Sequence, residues 1–269
     1  MILERLSSAA DPRLAPYLAV RERDLVGREG LFVAEGEVVV RVLLERSPFR
    51  VRSLLLEERR VAPMQDVLAR VDAPIFVVPQ AVMDAVVGFS IHRGVLALGE
   101  RGPAPDPAAL LARGRTFVGL VGLTNHDNVG SIFRNAAAVG VDGVLLDDLT
   151  CDPLYRKAIR VSAGTALVVP FARVPDLLGL LAREGVEAVS LTPRGEETID
   201  ALPPGRRALL LGTEGPGLPD DVLARTRRVR IAMAPGLDSL NVAVASGIAL
   251  HEVMKRVTSC PSPSTPEYS

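Results

Sequence analysis

Short apolar runs recur along the second half of this chain, each separated from the next by a stretch of helical character, and this rhythm limits the possible folds more than any other feature. The runs are Phe117–Val121, Gly143–Leu146, Leu167–Phe171, Ala188–Leu191, Ala208–Leu211 and Val229–Ile231. Between and after them, Val129–Val139, Tyr155–Val161, Pro175–Glu184, Pro219–Arg225 and Leu240–Val257 are predicted to be helices. Strands apolar on both faces, alternating with helices, pack as a mostly parallel sheet covered on both sides. In such sheets ligands bind in the loops at the carboxyl ends of the strands.

The first half keeps the same rhythm with shorter units. Strands are expected at Leu31–Ala34, Val51–Leu56, Ile75–Val78 and Gly94–Leu98, and helices at Glu37–Glu45, Pro63–Val71 and Gln80–Val87. These make a smaller α/β sandwich. The proline-dense stretch Gly102–Pro107 interrupts helix and strand alike. We therefore expect domains at 1–102 and 103–258, followed by a Pro/Ser-rich tail, 259–269, that is disordered.

Composition narrows the function. Hydrophobic residues are 48% and charged residues 23%, enough for proper cores. Aromatic residues are only 4% and tryptophan is absent, which argues against base-stacking platforms. The net charge is −1, yet lysine occurs only at Lys157 and Lys255, so arginine carries nearly all the positive charge. Arginine suits phosphate forks, although an Ala/Arg/Gly/Pro-rich composition produces the same bias. Arg21, Arg23 and Arg28 are candidate phosphate contacts in the first domain, although with Glu22, Asp24 and Glu29 interleaved a solvated mixed-charge face is the commoner explanation of such a cluster. Cys151 and Cys260 have no CxxC partner, so neither a zinc site nor a disulfide framework is expected. The N-terminus lacks a signal-peptide pattern and no apolar run is long enough to span a membrane. A cytoplasmic protein without metal or membrane is expected.

Three loops carry the chemistry. The first, Leu123–Asn135, follows the strand at Phe117. Asn128 is placed to cap the next helix. Arg134 lies one to two turns in, above small Gly130 and Ser131, so it can lean toward a group held at the helix start. A surface arginine on an ordinary helix has the same pattern. The second loop, Gly212–Pro219, packs three glycines and two prolines into eight residues, which lets backbone approach a ligand closely. A plain turn would not require Glu214. The third, Met233–Gly247, offers Asp238 and Ser239 as caps and places Asn241 inside a helix apolar nearly all round, where an amide needs a partner.

Rival readings lack their signatures. There is no GxGxxG for a dinucleotide-dependent oxidoreductase, and a hydrolase triad has no GxSxG and only His92, His126 and His251 to draw on. His126 is read as a loop residue.

In order and spacing the loops resemble the SpoU/TrmH family of RNA ribose methyltransferases, within the SPOUT class. NVGSIFRNAAAVGV resembles its first motif, LLLGTEGPGL its second and IAMAPGLDSLNVAVASGIAL its third; RKAIRVSAG is similar to a stretch between the first two. The likeness runs from Thr116 to Val257. LFVAEGEVVVRVLLER looks like the ribosomal-protein-like substrate-binding domain of many members. One departure is Asn125-His126, where the family often has Asp-Pro. The resemblance implies a parallel sheet threaded into a trefoil knot and S-adenosylmethionine as the methyl source. It implies a ribosomal or transfer RNA substrate and a homodimer with its active site near the subunit interface. It also implies Gly212, Glu214, Gly215, Gly217, Ile231, Met233, Leu240 and Asn241 as cofactor contacts, and Arg134, Asn128 and Ser239 as catalytic residues. A non-catalytic RNA-binding protein on the same scaffold is the alternative, and it predicts loss of motif residues that are all present.

Overall fold

A computed structural model describes residues 3–18, 26–27, 29–88, 94–237 and 239–258. The arginine cluster at Arg21, Arg23 and Arg28, together with His92, Asp238, Cys260 and the tail 259–269, lies outside the described residues. The chain forms two compact units. One holds the residues up to Ala104 together with Val129–Arg134 and Asp152–Val168; the other holds Pro105–Asn128, Asn135–Cys151 and the chain from Val169 on.

The first unit is built on a five-stranded sheet ordered β1-β4-β3-β5-β2: β1 (Leu3–Arg5), β2 (Leu31–Glu35), β3 (Arg50–Glu57), β4 (Ile75–Val78) and β5 (Val95–Glu100). β1, β4 and β3 run parallel, and β5 is antiparallel to both β3 and β2. Side chains alternate across a strand. Leu54, Leu55 and Leu56 are nonetheless all fully buried, so both faces of this sheet are covered. On the face of Leu55 the core gathers Leu6, Tyr17, Phe76, Met83 and Val87. Helices α1 (Glu37–Arg46) and α3 (Gln80–Val87) form where expected. The helix expected over Pro63–Val71 shrinks to a 3-10 turn, Ala62–Met64, and the short α2 (Gln65–Leu68), bounded on both sides by tighter i to i−3 bonds: Met64 N donates to Val61 O at 3.3 Å, Arg70 N to Val67 O at 3.2 Å and Val71 N to Leu68 O at 3.1 Å.

The second unit carries a seven-stranded sheet ordered β10-β12-β9-β11-β6-β7-β8, and every pairing in it is parallel. Its strands are β6 (Thr116–Leu120), β7 (Gly143–Leu146), β8 (Phe171–Arg173), β9 (Glu187–Leu191), β10 (Glu197–Thr198), β11 (Arg207–Leu211) and β12 (Arg227–Arg230). Phe117, Leu145, Ala172, Leu181 and Leu210 share one core. The helices that follow the proline-dense stretch are α4 (Pro107–Ala112), α5 (His126–Val139), α6 (Arg156–Val161), α7 (Leu177–Arg183), α8 (Asp220–Ala224) and α9 (Val242–Thr258); α6 and part of α5 belong to the first unit. Among the described residues no helix is long and apolar enough to cross a membrane.

Several expectations need correction. The run Leu167–Phe171 is not a strand. Thr165–Leu167 is a 3-10 turn and the strand begins only at Phe171, since Pro170 cannot donate to a ladder and offers just its carbonyl, to Val144 N at 2.9 Å. The sequence reading also missed α4, which starts at the last proline of the proline-dense stretch. Asp106 Oδ1 accepts from Ala108 N at 3.1 Å and Pro107 fills the first helical position, where its missing amide costs nothing. Finally, α9 is not buried on all sides: Val244 is 53% and Ile248 40% exposed.

Candidate functional site

A cleft of about 390 Å³ lies in the second unit, above the carboxyl ends of three neighbouring strands, β12, β9 and β11. Gly212, Glu214, Gly215, Gly217, Ile231, Met233, Ser239, Leu240 and Asn241 all line it. Thus every expected cofactor contact reaches one cavity, and of the three expected catalytic residues Ser239 joins them. Leu191, Thr192 and Pro193 line it too. The sequence reading passed over this loop because it lacks a glycine cluster. Its position after β9, at the carboxyl edge of the sheet, was the available signal.

The loop after β11 is shaped by its glycines. A Cβ on Gly212 would stand 2.6 Å from the Gly217 carbonyl oxygen, so no other residue fits there without moving backbone. Thr213 and Gly217 form an isolated bridge, and Thr213 Oγ1 donates to Gly217 O at 3.1 Å. Gly215 and Gly217 adopt φ of 86° and 75°, a region that favours glycine. The turn folds back on itself and presents Glu214 outward.

Glu214 joins the other two loops. Asn128 Nδ2 donates to Glu214 Oε1, Asn241 Nδ2 donates to the same oxygen at 3.1 Å, and Asn241 Nδ2 also reaches Asn128 Oδ1 at 3.1 Å. One side chain from each loop thereby closes a polar triangle. Two sequence expectations change here. The cap of α5 is Asn125, whose Oδ1 accepts from Asp127 N at 2.8 Å; Asn128 sits in the first turn, buried, because His126 and Asp127 already belong to the helix. Asn241 does not lie within α9 but caps it, its Oδ1 accepting from Ala243 N at 2.9 Å and Val244 N at 3.3 Å, and it is exposed. That cap leaves Ser239 upstream of the helix, exposed in the cleft wall. Asn135, given no role from sequence, donates to Ala243 O at 2.7 Å and Ser246 Oγ at 2.9 Å and so fixes α9 to α5.

Arg134 lies further along α5, exposed, and its side chain makes no hydrogen bond or ion pair with any described residue. The free space expected above Gly130 is filled: a Cβ there would lie 2.6 Å from Ala158 O and 3.0 Å from Val161 Cβ. The glycine serves the crossing of α5 and α6. Among the described residues no group of histidine, cysteine or carboxylate side chains is arranged to hold a metal ion.

Residues 115–251 match the family described as the SpoU rRNA Methylase family. A tRNA/rRNA methyltransferase of Mycobacterium tuberculosis strain H37Rv is 43% identical over 255 residues, covering 90% of this chain and 88% of that one. The chain belongs to the SpoU rRNA methylase family. A further relative, the 23S rRNA (guanosine-2'-O-)-methyltransferase of Escherichia coli K12, is 30% identical over 240 residues, covering 82% of this chain and 97% of that one. In fold, the chain matches the SpoU methyltransferase AviRb of Streptomyces viridochromogenes, solved with AdoMet. The TM-score is 0.80 at 24% identity, over 93% of this chain and 100% of that one. The parallel sheet of the second unit is therefore that of the SPOUT methyltransferases.

Proposed function

We propose that this protein transfers the methyl group of S-adenosylmethionine to a ribose 2'-hydroxyl of ribosomal or transfer RNA. The observation that carries this is the cleft itself, where three loops separated by as many as 113 residues meet at Asn128, Glu214 and Asn241. Its volume lies in the range of roughly 300–1,000 Å³ usual for small-molecule sites. Its wall suits a nucleoside with an amino-acid tail. Leu191, Leu211, Ile231 and Met233 offer apolar surface for a base, the Gly212–Gly217 backbone offers edges for hydrogen bonding, and Glu214 accepts from hydroxyl or ammonium groups. When bound, the cofactor supplies an electrophilic methyl on a sulfonium. The chain's task is to orient the hydroxyl oxygen toward it.

Arg134 is the residue assigned to the reacting oxygen, with Asn128 and Ser239 supporting it. A guanidinium stays charged and is a poor base. Arg134 therefore holds the adjoining phosphate and stabilises negative charge developing on the 2'-oxygen. In this reading residues 1–102 present the RNA, 103–258 form the catalytic domain with the knot that the resemblance implies, and the protein works in the cytoplasm. A homodimer belongs to the same proposal. It is supported by Leu240, Val244 and Ile248, which leave an apolar stripe 40–53% exposed at fourfold spacing on and just before α9. Light scattering reads the oligomeric state, and a monomer would remove that part.

The decisive experiment combines titration of S-adenosylmethionine by calorimetry with mass spectrometry of RNA nucleosides from cells with and without the protein. Binding without added metal and one 2'-O-methylated nucleoside lost with the gene are expected. A methyl lost from a base, or no loss, overturns the assignment.

A further inference from the structure

We propose that Leu149, in the loop after β7, is an apolar wedge that packs against the bases beside the target ribose; this rests on the reading of the chain as an RNA ribose methyltransferase. The argument begins with the order of the sheet. All strands of the second unit run parallel, so the loops at their carboxyl ends leave along one edge. The cleft occupies that edge above β12, β9 and β11, and β6 and β7 come next. Neighbouring strands lie about 4.8 Å apart, which puts β7 about 10 Å from β11. The loop after β6 leads to Asn128, whose side chain donates to Glu214 in the cleft. An acceptor hydroxyl must meet the methyl from outside the space the cofactor fills. On the Asn128 side of the cleft, the ground available to it is the edge formed by the loops after β6 and β7.

The loop after β7 is bonded on both sides of Leu149. Asp147 accepts from Gly122 N at 2.8 Å through Oδ2, and from Thr150 N at 2.8 Å and Thr150 Oγ1 at 2.6 Å through Oδ1. Thr150 Oγ1 in turn accepts from Leu123 N at 3.2 Å, and Cys151 N donates to Leu123 O at 2.8 Å. Arg173 donates to Asp147 O and, at 3.0 Å, to Thr150 O. These bonds bracket Asp148 and Leu149 and leave both exposed, Leu149 at 74%. A lone leucine in water is ordinary on a surface, but an unrestrained loop would turn it back onto apolar ground. Here the bonds on Asp147 and Thr150 hold it out, and among the described residues no large apolar side chain is more exposed. Leu237, on the other flank of the cleft and 64% exposed, has a looser mount, with its amide 3.3 Å from Ala234 O. Among the described residues no aromatic side chain is exposed, so a base meeting this edge finds an aliphatic face rather than a ring. Aliphatic side chains serve as wedges between bases elsewhere in nucleic-acid recognition. The neighbouring Asp148 carboxylate repels phosphates, which favours contact with bases over contact with the backbone.

The test uses the full-length protein and total RNA from cells that lack it, and follows methylation kinetics at several salt concentrations. Leu149→Ala is expected to lower kcat/KM for RNA roughly tenfold, the scale of burying one leucine side chain in part. The melting temperature and S-adenosylmethionine affinity should stay at wild type, because the side chain already stands in water. The slope of log affinity against log salt should also stay unchanged, since an apolar contact releases no counterions. Leu149→Met, which conserves volume, should return kcat/KM to within about threefold of wild type. Leu149→Asp should fall below Leu149→Ala. A merely structural role would move the melting temperature instead, and that result overturns the proposal. So does loss of the wild-type oligomer in light scattering of Leu149→Ala, which would assign the residue to a second copy of the chain. Unchanged kcat/KM in Leu149→Ala overturns the proposal while wild-type ribose methylation leaves the parent reading standing. A wild-type protein that methylates none of this RNA overturns both.

Discussion

The cleft above β11 and the crossing of α5 with α6 both depend on a glycine that admits backbone, at Gly212 and Gly130, and they treat polar side chains in opposite ways. In the cleft, Asn128, Glu214 and Asn241 are bonded to one another before any ligand arrives. At the crossing, the Arg134 side chain is exposed without a partner among the described residues. The difference teaches what each region is built to meet. A small ligand gains from polar groups whose positions are already paid for in entropy, whereas a polyanion is met by charges that ions and water occupy until it comes.

The largest expected effect separates the two regions directly. Arg134→Ala should slow single-turnover methylation by about 10²–10³ while cofactor affinity stays near wild type, and Arg134→Lys should recover little, because an ammonium lacks the planar fork. If cofactor affinity collapsed in parallel, Arg134 would belong with the cleft and the contrast would be lost. Next come the two glycines. Gly212→Ala and Gly130→Ala each push a methyl to 2.6 Å from a carbonyl oxygen, at an expected cost of about 1–3 kcal/mol of stability by urea unfolding. Only Gly212→Ala should also abolish S-adenosylmethionine binding in calorimetry. Equal loss in both would show that the cleft depends on the crossing.

A smaller effect is expected at Asn241, which caps α9 and bonds both Asn128 and Glu214. Asn241→Ala should cost about 1 kcal/mol for the cap and weaken cofactor affinity. If affinity holds and only the melting temperature falls, the triangle is scaffold rather than binding surface. The smallest effect serves as a control outside both regions. Arg13 bonds Asp11 and holds its carboxyl down at about 2. A lowered carboxylate pKa stabilises the fold above the unfolded value and loses that contribution as pH falls toward 2. Asp11→Asn should flatten this acid limb slightly in melting curves, the pair being exposed, and should leave cofactor and RNA binding unchanged.

Much of this was legible in the residues. Ile75–Val78, Gly143–Leu146 and Gln80–Val87 form as read, because burial and periodicity act over a few neighbours. Local punctuation was harder to judge. Asn125 took the cap expected of Asn128 because both are good caps three residues apart, and only the helix's first turn distinguishes them. Asn241, read as an interior amide, is a cap for the same reason. Leu167–Phe171 has the apolar character of a strand, but Pro170 stops the ladder.

The sequence by itself determined most of the strands and helices and the glycine-built turn after β11, since those are matters of steric and hydrophobic pattern within one element. It determined, through its motifs, the SpoU family. Only the tertiary structure decided which of those residues meet. Glu214 finds Asn128 and Asn241, and Thr192 enters the cleft, because the sheet is ordered β12-β9-β11-β6 and brings distant loops side by side. Gly130 turned out to serve helix packing because Ala158 lies across it. Contacts of this range depend on how strands are ordered, and no local preference of the chain encodes that order.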